Sequence, residues 1–108
     1  MKNKFLSDLG LARRAGKLIR GRDETEANLD TGVLSVVFLA VDVSERTRLL
    51  ARRMCEEHGV RLRLLSLTME ELGQAAGCKP FGIFSVTGGF VGLLEACLDS
   101  WENKEAEK

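Results

Sequence analysis

Five basic side chains, Arg13, Arg14, Lys17, Arg20 and Arg22, fall within ten residues of one another. The planar guanidinium fork donates two parallel hydrogen bonds, a geometry that suits phosphate oxygens and the acceptor edges of bases. Gly21 lies between the last two arginines. Lacking a Cβ, it lets the backbone approach a ligand closely. The helix expected to begin just after it supplies N–H groups that have no intrahelical partner. Together these features describe a site for a phosphate-rich ligand. A solvated helix face followed by a turn glycine would have the same composition, and charge alone does not choose between the two.

Candidate catalytic groups are sparse. His58 is the only histidine and stands at a charged helix end between Glu57 and Gly59, a place typical of surface or capping histidines rather than general bases. There is no G-x-S-x-G elbow and no P-loop. Gly88-Gly89 precedes a helix but lacks a third glycine and a nearby lysine, so a helix-entry turn explains it better than a phosphate cradle. Asp42 stands at the carboxyl end of a strand, where α/β folds place catalytic acids; it serves equally as a turn residue. Cys55, Cys78 and Cys97 are far apart, odd in number and set among apolar neighbours. That pattern argues against a disulfide framework or a zinc site and for small buried hydrophobes in a reducing cytoplasm. An enzyme is disfavoured, and no metal or cofactor is expected.

The elements that must position the basic cluster follow from periodicity. Phe5, Leu6, Leu9, Ala12 and Ala15 recur at helical spacing, and Gly16 stops that helix. Lys17 to Arg20 reads as a short strand-like link. After Gly21, Asp23 is expected to cap a second, brief helix with Glu24 and Glu26 in its first turn, where the macrodipole favours acids. Val33 to Val41 is an apolar strand covered on both faces. Ser44 caps a third helix that runs to His58 and ends at Gly59, with Arg46, Arg48, Arg52 and Arg53 toward water. Val60, Leu62 and Leu64 alternate with Arg61 and Arg63, as in a strand with one solvated face. Thr68 to Glu71 forms a capping box for a fourth helix ending at Gly77. Cys78 to Phe81 is a loop around the only proline, Gly82 to Thr87 a last strand, and Phe90, Leu93, Leu94, Cys97 and Leu98 the apolar face of a final helix.

Helices alternating with strands predict an α/β fold: a three-layer αβα sandwich with a mostly parallel sheet of about four strands. At 108 residues with 44% hydrophobic content, residues 1–100 are expected to form a single domain with its own core. The charged segment 101–108 is expected to be a disordered tail. Net charge is zero, but residues 1–22 carry seven basic groups against one acid, a local charge of +6. Local potential matters more than the total. The longest apolar run is too short for a membrane span, and no h-region follows Lys2 and Lys4, so a cytoplasmic protein is expected.

The run from Leu9 to Gly21, L-G-L-A-R-R-A-G-K-L-I-R-G, resembles the opening of the bacterial YlxQ-type branch of the L-seven-Ae ribosomal protein family. Further matches follow in order: Gly21-Arg22-Asp23-Glu24-Thr25, Val37 to Ala40 with Asp42, Cys55 to Val60, Glu70 to Gly77, and the strand ending at Val86-Thr87. They span about residues 5–98. The E-E-L-G-x-A-x-G run in register with G-x-D-E-T is the most specific part. The resemblance implies an αβα sandwich that binds structured RNA of the kink-turn type, ribosomal or translation-associated, with ribosomal or other protein partners possible.

It also implies a site. In the family, a G-x-N-E-x-x-K motif at the second helix reads the guanines of tandem sheared G·A pairs. The asparagine and lysine address guanine acceptors, and the glutamate accepts from guanine donors. Gly21 and Glu24 match that pattern, but Asp23 replaces the asparagine and Ala27 the lysine. A carboxylate cannot donate to a guanine acceptor, and it brings negative charge beside phosphates. Arg20 or Arg22 would compensate in part. The family's second contact is the loop before the last strand. Here Lys79 would meet phosphate, and Phe81 would either stack on an unpaired base or pack against its own domain. The rival reading is a protein-interaction module on the same scaffold with weakened or lost RNA recognition, which Asp23 and Ala27 favour.

Overall fold

The computed structural model describes residues 2–106. Five helices and four strands alternate: α1 (Lys2–Arg14), β1 (Leu18–Arg20), α2 (Arg22–Asp30), β2 (Val36–Leu39), α3 (Glu45–His58), β3 (Arg61–Leu64), α4 (Met69–Ala76), β4 (Ile83–Val86) and α5 (Phe90–Ala106). The α5 helix thus extends through the expected charged tail as far as Ala106; residues 107–108 of that segment lie outside the described residues.

The local signals at the ends of α3 and α4 act as expected. Ser44 Oγ accepts from the Thr47 amide at the start of α3. Thr68 and Glu71 exchange both capping-box bonds at the start of α4. Gly59 and Gly77 close their helices in the left-handed conformation, which costs glycine no Cβ clash.

The sheet corrects one expectation. Its order is β1-β4-β2-β3, and it is mixed rather than mostly parallel. Only β2 and β3 are parallel; β4 runs antiparallel to both β2 and β1. The cause lies between β3 and β4. Helix α4 has eight residues, only about 12 Å of rise, and it begins at the carboxyl end of β2, where Asp42 Oδ1 accepts the Met69 amide at 2.9 Å. The following loop folds back along α4 rather than crossing the sheet. A Cβ on Gly73 would stand 2.8 Å from Pro80 N and 2.9 Å from Cys78 O, so only glycine allows this approach. The chain therefore re-enters the sheet at the end it left, with Ile83 beside Leu39. Asp42 is accounted for as a structural acceptor.

Alternation along β2 divides the core. Val36 and Phe38 join one cluster with Phe5, Leu9, Leu72, Phe84, Leu94 and Leu98. Val37 and Leu39 join another with Leu29, Leu34, Ala51, Met54 and Ile83. Phe38 and Phe84 stack across adjacent strands at 5.1 Å, with Phe5 edge-on to Phe38 at 6.0 Å; each such pair contributes about 0.5–1.5 kcal/mol beyond area burial. Burial alone pushes the Cys55 thiol up to about 11, so it behaves as a small hydrophobe. Cys97 is buried as well, while Cys78 is only half-buried.

Strand β3 differs from its expected pattern. Leu64 is 52% exposed, while the Arg63 side chain is largely covered. On the face expected to be solvated, two carboxylates of α5 cover Arg63 while Arg61 stays exposed. Arg63 donates to Glu95 at 3.2 Å and to Asp99 at 2.7 Å, and Arg61 also donates to Glu95.

His58 ties two helices together. Its Nδ1 donates to the Met54 carbonyl at 2.8 Å, and its Nε2 lies 2.9 Å from Asp30 Oδ1, at the end of α2. Both ring nitrogens thus face acceptors, which favours the doubly protonated ring. The Met54 bond, then the Asp30 bond, raise its pKa above the ordinary 6.5. A raised folded-state pKa gives stability that is complete below 6.5 and is lost as pH rises through the folded value. Thermal melts of the wild type are expected to fall from mildly acidic to mildly alkaline pH, and His58→Asn to remove most of that fall. An unchanged pH profile in the variant would disprove the assignment.

Candidate nucleic-acid interface

Gly21 is where the candidate site is assembled. It is the N-cap of α2, with φ 91° and ψ 159° and no side chain capping the helix. Asp23 is therefore not the cap expected from sequence. Helical bonding already starts from the Gly21 carbonyl, which accepts the Thr25 amide at 3.1 Å, and so Asp23 becomes an exposed first-turn residue. With no capping side chain, the first-turn amides form an uncapped positive end that an anion could satisfy. The backbone geometry at Gly21 is closed to residues with a Cβ except at a cost of about 1–3 kcal/mol.

The Gly21 amide donates to the Ile83 carbonyl at 2.8 Å, and the Ala40 amide donates to the Gly82 carbonyl at 2.8 Å. These two bonds bring the start of α2, the carboxyl end of β2 and the loop before β4 to one end of the sheet. Between them lies a groove of about 450 Å³ walled by Gly21, Arg22, Val43, Met69, Pro80 and Phe81. The two segments singled out by sequence, sixty residues apart in the chain, thus share one cavity.

Of the expected residues, only Gly21, Arg22 and Phe81 line the groove. Asp23, Glu24 and Ala27 are exposed on α2, with Asp23 and Ala27 one turn apart on one face. Arg20 is exposed at the end of β1, opposite Phe84, and Lys79 is exposed in the loop. Lys17 is not brought to the groove. It precedes β1, and its carbonyl accepts from Thr87 at the opposite end of β4, four residues and about 13 Å of strand from Gly21. Phe81 is 7% exposed and meets Phe84 edge-on at 5.5 Å. Of its two expected dispositions, it adopts packing against its own domain while still lining the groove. Sequence reasoning missed Val43, Ser44, Thr47 and Met69, which also line the cavity. The usable signal was their position after β2, since α/β folds gather ligands beyond strand carboxyl ends.

Among the described residues no group of three or more His, Cys, Asp or Glu side chains could hold a metal ion. No described helix is long and apolar enough to cross a membrane.

Comparison with known proteins decides the lineage. Residues 3–88 match the model of the ribosomal protein L7Ae/L30e/S12e/Gadd45 family. The chain belongs to this family. Within reach of it, the large ribosomal subunit protein eL8 of Halobacterium salinarum is 32% identical over 80 residues, covering 73% of this chain and 66% of that protein. The RNA-binding protein YlxQ of Enterococcus faecium is 43% identical over 47 residues, covering 44% of this chain and 46% of that one. The chain thus spans slightly under two thirds of the eL8 sequence and about half of YlxQ. A Bacillus halodurans structure of unknown function superposes with a TM-score of 0.80 at 28% identity, over 89% of this chain and 97% of that one. The L7Ae-family relationship agrees with the α/β architecture and with the order of the motifs from Leu9 to Thr87.

Proposed function

We propose that this member of the L7Ae family is a non-enzymatic, ribosomal or translation-associated RNA-binding protein of the cytoplasm. It recognises a structured, kink-turn-like RNA at the start of α2. The observation that carries this reading is the bond from the Gly21 amide to the Ile83 carbonyl, which fixes the uncapped end of α2 beside the Pro80–Gly82 loop. One wall offers helix amides and Arg22 to phosphate or base acceptors. The other offers an apolar surface for an unstacked nucleotide. Glu24, exposed in the first turn, faces outward as an acceptor for guanine donors. The relatives, a ribosomal protein and an RNA-binding protein, point the same way. Ribosomal RNA and ribosomal proteins are the partners this reading favours.

A calorimetric titration with a kink-turn RNA and with a plain duplex, across a salt series, tests it. The expected result is sub-micromolar affinity for the kinked RNA, a clear preference over the duplex, and weakening with salt as counterions are released. Affinity weaker than micromolar without preference would reject RNA recognition. It would favour the second reading, a protein-interaction module, which Asp23 and Ala27 support by leaving an anionic, lysine-free helix start.

A further inference from the structure

Arg22 is the shared wall of two grooves. One is the groove beside Gly21 and Phe81. The other, of about 310 Å³, lies between the start of α2 and the outer side of α3, and is lined by Arg22, Arg46, Leu49, Leu50 and Arg53. The four α3 residues fall at positions i, i+3, i+4 and i+7, one stripe along two turns or about 10 Å of helix. A leucine pair at that spacing is ordinarily core. Here Leu49 is 49% exposed, and an arginine flanks the pair at each end.

The charge of this groove is not neutralised internally. Among the described residues, Arg22, Arg46 and Arg53 form no ion pair, whereas the neighbouring Arg48 is held by Glu45. No carboxylate lines the cavity. Three guanidinium groups around one cleft repel each other and create a local positive potential that an anion relieves. The ligand's shape follows from the spacing. A compact anion would occupy one end only, whereas groups two turns apart suit an extended chain carrying repeated charges. The apolar floor suits the C–H face of a ribose between phosphates.

We infer that the α2–α3 groove holds backbone phosphates of the RNA strand that continues from the Gly21 groove, past Arg22. The inference rests on the RNA reading above and adds a second contact to it. Because phosphates carry no sequence information, this contact positions the RNA and does not select it. Guanidinium groups at Arg46 and Arg53 act as paired clamps on the flanking segment.

The test is Arg46→Gln/Arg53→Gln, two exposed positions where glutamine preserves helix propensity, titrated with a kink-turn RNA and a plain duplex across a salt series. Each lost phosphate contact lowers the slope of log K against log salt by about 0.9, so the double variant should lower it by about 2. Affinities for both RNAs should fall in parallel, leaving their ratio unchanged. Arg52→Gln, on α3 outside the groove, should leave the slope nearly as in the wild type. A double variant with wild-type slope and intact kink preference would overturn the groove while sparing the RNA reading. An equal loss in Arg52→Gln would also overturn it, because diffuse charge would then suffice. Absence of any kink preference in the wild type would remove the RNA reading itself, and this inference with it.

Discussion

Exchanging Asp23 for asparagine and Ala27 for lysine is expected to tighten binding of a kink-turn RNA by roughly 10- to 100-fold per position. That range corresponds to about 1–3 kcal/mol for each well-placed base contact. The two side chains lie one turn apart, exposed on the same helix, so both can reach one ligand surface. Asparagine supplies the N–H donors that a carboxylate lacks and removes a negative charge from beside the phosphates. Lysine adds a charge-assisted contact to guanine acceptors. Stability should move the other way. Asp23 sits in the first turn of α2, where its charge complements the helix dipole, and losing it costs about 0.3–1 kcal/mol. A variant that binds more tightly while melting slightly lower is therefore the specific signature. Asp23→Asn alone separates base reading from added positive charge, since its gain should be confined to the kinked RNA. If the double variant gains nothing over the wild type, the start of α2 does not face bases.

The parts of this molecule legible in sequence are those written over a few consecutive residues. Ser44, the Thr68–Glu71 box, Gly59 and Gly77 each specify a helix end through bonds to residues no more than five positions away, and all four were read correctly. Gly21 was legible only as a break in the chain: the cap of α2 was expected at Asp23 and lies at Gly21. The direction of β4 was not legible. It depends on Gly73 admitting the Cys78–Pro80 backbone against α4, a contact with no periodic signature. The roles of Arg61 and Arg63 were hidden similarly. Their alternation with Val60, Leu62 and Leu64 is the pattern of a solvated strand face, yet Glu95 and Asp99, more than thirty residues further on, pair with it and cover Arg63. The site divides along the same line. The α2 half of the candidate site is local in sequence. The residues beside it, Val43 and Thr47 and the stripe from Arg46 to Arg53, come near only because β2 delivers α3 beside the start of α2.

Phe81→Ala is expected to cost about 3–5 kcal/mol of stability, the usual penalty for emptying a buried phenylalanine site. That is a large share of the roughly 5–15 kcal/mol that holds a domain of this size together. The ring is 7% exposed and sits edge-on to Phe84, which in turn stacks on Phe38 in the middle of the sheet. Removing it opens a cavity under the loop that forms one wall of the groove, so fold and site are lost together. An exposed stacking residue would behave differently, because its loss would abolish binding and leave the melt unchanged. Denaturant unfolding beside RNA titration separates the two. Phe81→Leu, which refills most of the space without an aromatic face, should recover most of the stability and most of the affinity. If Phe81→Leu restored stability but not binding, the ring itself would be touching the nucleotide, and the wall of the groove would be an aromatic contact rather than a support. The geometry favours support: the Phe81 side chain is held toward Phe84, and the surface left to an RNA on that side is Lys79, Pro80 and the backbone of Gly82.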